Sequence, residues 1–403
     1  MSRRYAPKTG HTFFLIGESV RKDCFMKVLH TSDWHLGASD GNRSLYEDQL
    51  YFIDEICGII KERDIRAVII AGDIYDRTLA SAEAIHLYDY AMTRFCAELG
   101  VSVLSIAGNH DSAERLSSCS DLLKASGLYI CGSAVRNPEP VSIENTDFYL
   151  LAWITEEKVK SLFPEKKENI ESLEDAYRII TGEMKKGFDP AKKHVIISHA
   201  YITDSETSTS DRAAEIGFAA QVSADVFDGF DYAALGHIHK PQNVTDRIRY
   251  SGTPMPYAFG KEETQEKSVT VFDTETMEVT AVPLHPLHKR RTFTGTFEEL
   301  RNPDITEEER NGYVRLQVTD CFIGTDVLTA LKEIYPQVLE VSGRTFEGEN
   351  SKVTLTLEEL EQMEEDPVEV FRYFCKEIAE QEPDGHFVEL FKNAVAAYEE
   401  EHS

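Results

Sequence analysis

The sequence predicts an α/β protein built on a substantially parallel or mixed sheet, followed by smaller units. Three observations carry this. Strand-length apolar runs alternate with helix-length segments from Met26 to about Pro283. The first of those segments repeats its inward positions at helical spacing. A basic stretch, His285–Arg291 (HPLHKRR), then breaks the pattern, and a shorter strand–helix–strand series follows. A chain of 403 residues has room for two or three domains, at roughly 100–200 residues each.

Residues 1–25 carry Arg3, Arg4 and Lys8 and one apolar patch, Phe13–Ile16. That patch is short of the roughly 7–15 apolar residues of a signal-peptide core, so the segment reads as a loose extension. The first strand begins at Met26, in MKVLHTSD. Buried strands are predicted at Val28–Ser32, Ala67–Ala71, Val101–Ile106, Phe148–Ile154, Val195–Ser198 and Tyr232–Leu235. Between the first two, Gln49, Ile53, Ile56 and Ile60 recur at helical spacing within Leu45–Arg63. Ser268–Phe272 and Glu278–Leu284 follow without helices between them and are expected to close a second sheet of the same domain, 26–284. His285–Arg291 reads as a linker. Beyond it, Tyr313–Thr319 and Val338–Val341 read as strands and Asp326–Ile334 as a helix, giving a small α/β domain within 285–352. Residues 353–403 are acidic: Thr354–Ser403 holds 15 Asp or Glu against 3 Lys or Arg. They still carry two helical apolar stripes, Phe371, Phe374 and Ile378, then Phe387, Phe391, Ala394 and Tyr398.

The composition is 41% hydrophobic and 28% charged, ordinary for a globular protein. No apolar run approaches the roughly 20 residues of a membrane span. The seven cysteines are scattered and form no CxxC pair. That excludes a disulfide framework and a structural zinc site and fits a reducing cytoplasm. The net charge of −29 opposes nucleic-acid binding by the bulk surface, because phosphate backbones are gripped by Lys and Arg.

The chemistry sits at strand ends, where open α/β sheets place their sites. Asp33-Trp34-His35 follows the first strand and Gly72-Asp73 the second. Gly108-Asn109-His110-Asp111 follows the third, His199 the strand at Val195–Ser198, and Gly236-His237-Ile238-His239 the strand at Tyr232–Leu235. Phosphodiester hydrolysis needs a nucleophile near neutral pH and charge neutralisation on the phosphate. Two divalent ions about 3.5–4 Å apart supply both. Mixed imidazole, carboxylate and amide donors suit manganese, iron or zinc better than calcium. One carboxylate must bridge such a pair, and Asp73, alone on its loop, is the candidate. Gly72, Gly108 and Gly236 permit the tight turns that bring backbone close to metal and phosphate. Each motif alone is weak. A GD pair is ordinarily a turn, and a lone histidine such as His199 is ordinarily structural. Their order along the strand ends makes them strong together.

That order, D-x-H, G-D, G-N-H-D, H and G-H-x-H, resembles the calcineurin-like metallophosphoesterase superfamily over roughly Met26–Phe272. The resemblance implies a four-layer sandwich, two mixed sheets flanked by helices. It implies one ion held by Asp33, His35, Asp73 and His239, and a second by Asp73, Asn109, His199 and His237. His110 would be the catalytic histidine, protonating the leaving oxygen or stabilising charge on the phosphate without touching a metal at rest, and Asp111 would orient it by accepting a ring N–H. A narrower resemblance lies in HTSDWHLG, AGDIYDR, AGNHDS, VSADVFDGFDYAALGHIHKPQ and YSGTPMPYAFG. These are similar to the SbcD family of nuclease subunits. That implies a manganese-dependent exonuclease on double-stranded DNA ends, with endonuclease action on single strands or hairpins, in DNA repair, recombination and replication. It also implies a small capping domain, a nuclease-subunit homodimer, and C-terminal helices that dock on an SbcC-like SMC-type ATPase. The loop Glu206–Arg212 (ETSTSDR) is not a close match to the family's acidic-serine loop, and its role stays open.

Two other readings compete. A phosphoesterase on small substrates would not need the residues after Pro283. A metal-poor scaffold would have lost ligands, whereas all seven positions and His110 are filled. For DNA grip the sequence offers Trp34 and Lys289–Arg291, against the bland alternatives that Trp34 packs locally and the basic run is solvated.

Overall fold

The structure is a computed structural model. It describes residues 26–211 except 42, residues 221–343, and in the C-terminal part 354–356, 368, 371, 372, 375, 383 and 385–402. The expected N-terminal extension, 1–25, lies outside the described residues.

Two six-stranded mixed sheets form the body. The first runs, in spatial order, Val279–Leu284, Lys267–Asp273, Lys27–Thr31, Ile65–Ala71, Ser102–Ile106 and Leu128–Cys131. Its last four strands are parallel. The two late strands add antiparallel at its edge, Lys267–Asp273 pairing with Lys27–Thr31. They therefore extend the first sheet and do not close a second one. Alternating hydrophobicity identifies a strand but not its neighbour, which is chosen by long-range packing.

The second sheet runs Gln242–Asn243, Ile248–Tyr250, Tyr232–Gly236, Lys193–His199, Thr146–Leu151 and Val141–Ile143. Its central strands are buried on both faces. Val195 and Ile197 join the core between the sheets, while Ile196 joins the core behind. Helix Leu173–Lys185, begun by a Ser172/Asp175 capping box, covers that back face with Tyr177, Ile180 and Met184. Helices Tyr46–Arg63 and Ala82–Met92 cover the first sheet with Phe52, Ile53, Ile56 and Leu87. This gives four layers, helix, sheet, sheet, helix.

The sheets touch closely at one point. A Cβ built on Gly236 would lie 1.9 Å from the Ala71 carbonyl oxygen, so only glycine fits there. The same carbonyl accepts a hydrogen bond from His199 Nδ1 at 2.8 Å. Deeper in, His30 spans the sheets, with Nδ1 3.2 Å from the Tyr232 hydroxyl and Nε2 donating to Leu235 O at 3.1 Å.

A third, four-stranded sheet, Arg290–Gly295, Tyr313–Val318, Val338–Ser342 and Thr354–Thr356, forms the small unit around Val314, Leu316 and Leu331. Arg290 and Arg291, read from sequence as linker, begin its first strand. Thr354–Thr356 pairs antiparallel with Val338–Ser342, so this sheet continues past the expected boundary at 352. Arg290 is 2% exposed. Its guanidinium pairs with Asp40 at 2.5 Å, donates to Pro256 O, and lies over the Phe259 and Tyr313 rings. Asp48, also buried, accepts from the Tyr313 hydroxyl at 2.6 Å.

Gly236→Ala is expected to destabilise the fold by about 1–3 kcal/mol through overpacking, read as a lowered urea midpoint. An unchanged midpoint would mean that the two sheets can part at Ala71 without cost.

Candidate metal centre

All seven predicted donor residues and His110 converge on one cleft at the carboxyl ends of the strands. Two loops are first locked together. Asp33 N donates to Gly72 O and His35 N to Asp73 O, both at 3.0 Å. Four of the seven then adopt positive φ: Asp33 (53°), His35 (44°), Asp73 (49°) and His237 (101°). Non-glycine residues avoid this region, and strain of this kind gathers at functional sites. Behind Asp73, a Cβ on Gly108 would fall 2.1 Å from its Oδ1, so the third loop can close on the carboxylate only with glycine there.

Three groups of side chains bring donor atoms within 4.8 Å of one another: Asp33, His35 and His239; His35, Asp73 and His110; Asp73, His199 and His237. Asp73 belongs to two of them. Its Oδ2 lies 3.3 Å from His199 Nε2. Asn109 Oδ1 lies 3.0 Å from His199 Nε2 and 3.1 Å from His237 Nδ1. On the other side, His35 Nε2 and His239 Nε2 face each other at 3.1 Å. His237 Nε2 is buried without a hydrogen-bond partner among the described residues.

Burial dominates the electrostatics. It pushes Asp33 up to about 7, His35 down to about 4 and His237 down to about 3. At His199 burial is outweighed by the Asp73 carboxylate, and the imidazole rises to about 9. Asp73 is held well below the carboxylate range by His199, which overcomes its desolvation. Buried carboxylates among imidazoles are costly alone and become favourable around a cation. Carboxylate, amide and imidazole donors on overlapping groups, with a buried imidazole nitrogen lacking a partner, fit divalent ions of the softer transition-metal type.

His110 stands at the edge of this cluster. Its Nδ1 donates to the Asp76 carbonyl at 2.9 Å, and its Nε2 lies 3.9 Å from Asp73 Oδ2. The expected role of Asp111 is corrected here. Its carboxylate accepts from the backbone N–H groups of Gly108 (2.9 Å), Ile74 (3.1 Å) and Tyr75 (2.9 Å). It ties the second and third loops together, and a backbone carbonyl orients the ring instead. Residue spacing cannot distinguish these, because a main-chain acceptor carries no sequence signature.

Trp34, weighed as a DNA contact, is fully buried. Its Nε1 donates to Thr31 Oγ1 at 3.0 Å and its ring packs edge-on to Phe52 and Phe95. The basic run is occupied too: Arg290 is buried, Lys289 pairs with Glu308 at 2.8 Å, and Arg291 donates to Glu263 O at 2.9 Å.

Several supporting residues escaped the sequence reading. Gln49, placed on the helix stripe, donates Nε2 to His35 O at 2.8 Å and to the Tyr257 hydroxyl at 3.2 Å. Trp153 packs its indole beside His237, ring centres 5.3 Å apart. Ser210 and Asp211, in the loop left open, reach His239. A polar residue inside a helical apolar stripe was the available signal for Gln49. For Trp153 there was none.

The cleft itself, of about 140 Å³, is lined by His35, Ser39, Asp73, Asp76, His110, His237, His239 and Tyr257, among others. Among the described residues no helix is long and apolar enough to cross a membrane.

The chain matches the calcineurin-like phosphoesterase family over residues 26–241, more than half its length, and it belongs to that family. Residues 283–378 match the type 5 capsule protein repressor C-terminal domain, SbcD_C. The pairing of these two domains is consistent with an SbcD-like nuclease subunit. Among solved structures, the chain is similar to an archaeal phosphodiesterase at 17% identity, covering 64% of this chain and all of that one, with a TM-score of 0.32. It is similar to GAP50 of Plasmodium at 13% identity, covering 66% and 90%, TM-score 0.37. It is also similar to a dimetal phosphatase from Danio rerio at 14% identity, covering 65% and 96%, TM-score 0.40.

Trp34→Ala is expected to cost about 3–5 kcal/mol of stability, as for a fully buried aromatic, measured by urea denaturation. A stable variant that loses only DNA affinity would reverse the assignment of Trp34 to the core.

Proposed function

We propose that this chain is the nuclease subunit of an SbcD-type complex, a two-metal phosphodiesterase acting on DNA with an SbcC-like SMC-type ATPase in repair, recombination and replication. The observation that carries the hydrolytic reading is Asp73. This buried carboxylate groups with His199 and His237 on one side and with His35 on the other, and His35 in turn groups with Asp33 and His239, which is the placement a bridge between two ions requires. In this reading Asp33, His35, Asp73 and His239 hold one ion, and Asp73, Asn109, His199 and His237 the other. Bound there, two divalent ions, manganese by the family resemblance, would supply the nucleophile and neutralise the phosphate.

The chain's own side chains do the rest. His199 donates Nδ1–H to Ala71 O, which in the neutral ring leaves the Nε2 lone pair to face an ion beside Asp73. His110 keeps a proton on Nδ1 through Asp76 O, so its Nε2 faces the cleft. Protonated there, it releases that proton to the leaving oxygen as the P–O bond breaks. Asp111 fixes the loop on which His110 stands.

On a DNA strand, the half-open cleft lined by His110, His237 and His239 would take the scissile linkage while the rest of the strand lies outside. The SbcD_C match supports the same reading and an SbcC-type partner. With a net charge of −29 and the basic run occupied, part of the DNA grip falls to that partner in this reading.

The C-terminal segment supplies the docking surface in this proposal. Of the first expected helix, Pro367–Ala379, only 368, 371, 372 and 375 are described. Phe371 stacks on Phe391 at 4.5 Å, and Val368 and Val388 are buried. Phe387 (57%) and Leu390 (52%), on helix Gly385–His402, are exposed. Burying one such side chain is worth about 1.5–3 kcal/mol.

Asp73→Ala is expected to abolish binding of both ions and cleavage of a DNA hairpin. His110→Ala should retain both ions and lose about 10²–10⁴-fold in turnover. Metal analysis and manganese-dependent hairpin cleavage measure both. An Asp73→Ala protein that cuts DNA with normal metal content would refute the assignment. Separately, removal of residues after Thr356, which keeps the last strand of the small sheet, should spare cleavage of a simple phosphodiester and abolish co-purification with the ATPase. Stoichiometric co-purification of the shortened chain would place the docking surface elsewhere.

A further inference from the structure

The residues Ser208–Asp211 form part of the cleft wall beside His239. Ser210 Oγ lies 2.6 Å from His239 Nδ1. Asp211 Oδ1 lies 3.4 Å from the same nitrogen and accepts from the His239 backbone N–H at 3.0 Å. The opposite ring nitrogen, Nε2, faces His35 Nε2 at 3.1 Å. A neutral imidazole has one N–H and one lone pair, so what happens at Nδ1 decides what Nε2 can do. A hydroxyl oxygen and a carboxylate gathered at Nδ1 favour the tautomer with the proton there. The lone pair of Nε2 is then aimed into the cluster.

The clamp is held from a distant part of the chain. Ser210 N donates to Glu262 Oε1 at 2.9 Å. Glu262 forms a buried ion pair with Lys267 at 3.1 Å, and Lys267 Nζ donates to His239 O at 3.3 Å. One buried pair thus anchors both the loop that grips the ring and the backbone that carries it. A surface loop resting by chance against a histidine would not need a fully buried Lys–Glu pair behind it, because such pairs are costly unless fully engaged.

We propose that Ser210 and Asp211 are positioning residues that hold the proton on His239 Nδ1 and so direct its Nε2 toward the ion on the His35 side of the cleft. This rests on the two-ion reading above. In the other donor group, His199 is oriented by Ala71 O, and among the described residues neither His199 nor His237 has a hydrogen bond to this loop. The effect is therefore one-sided. Removing such an outer partner of a metal-bound histidine lowers metal affinity by about 10–100-fold.

The test is Mn²⁺ titration of the intact chain by calorimetry, with Mn²⁺ electron paramagnetic resonance to report coupling within the pair. Wild type is expected to take up two ions in two steps. Ser210→Ala and Asp211→Asn should each weaken one step by about 10–100-fold and leave the other unchanged. The melting temperature of the metal-free chain should not move for Ser210→Ala, and Ser210→Thr should restore the weakened step. Ser210→Ala decides the matter if Asp211→Asn does not fold. Two wild-type steps in a folded Ser210→Ala protein, or equal weakening of both, would overturn the inference while leaving the two-ion reading intact. A wild-type chain that binds fewer than two ions would overturn that reading and this inference with it.

Discussion

The Ala71 carbonyl is where the two sheets meet, and the arrangement of the cleft depends on that contact. It is the last residue of a central strand of the first sheet. It accepts from His199 Nδ1, at the end of a central strand of the second sheet, and leaves no space for a Cβ on Gly236. A larger residue would separate the sheets by ångströms. The loops after Ala71 carry Asp73, and the loops after Gly236 carry His237 and His239. The distance between those side chains is therefore fixed by the closeness of two backbones, a more rigid quantity than any side-chain rotamer.

The strain at the site follows from the same geometry. Strands end in the cleft, and their side chains must turn sharply to point at one another. Asp33, His35, Asp73 and His237 do so through positive φ, conformations that cost free energy unless the surroundings over-determine them. Here the surroundings are backbone hydrogen bonds between the first two loops and the Asp111 carboxylate, which accepts from three N–H groups. Asp111 is thus best understood as a fastener of backbone. Its location next to His110 in sequence suggested otherwise.

The small sheet is coupled to the cleft by burial rather than by a flexible connection. Arg290 reaches Asp40 on the ribbon Ser39–Ser44 and the carbonyl of Pro256, while Thr292 N donates to Glu263 at 2.7 Å. Ser39 and Tyr257, which line the cleft, lie on these gripped segments. The buried guanidinium is held by a carboxylate, a carbonyl and two aromatic faces, with one of its terminal nitrogens lacking a hydrogen-bond partner among the described residues, and removing the carboxylate would leave a charge in a dry environment.

The sequence by itself determined most of the elements and which Asp, Asn and His residues stand at the strand ends. Hydrophobic periodicity reports burial locally, so Leu45–Arg63 and strands such as Ala67–Ala71 were legible to within a few residues. Asp, Asn and His at successive strand ends were legible because chemistry of this kind has few other uses for them. Only the tertiary structure decided where Lys267–Asp273 pairs, which groups share Asp73, and that Trp34 and Arg290 face inward. It alone showed that Asp76 O rather than Asp111 holds the His110 ring, and that Ser210 and Asp211 reach His239. These are contacts between residues distant in sequence or with main-chain atoms. Neither leaves a periodic or compositional trace, since a carbonyl is present at every position and a partner a hundred residues away is chosen only when the sheets close.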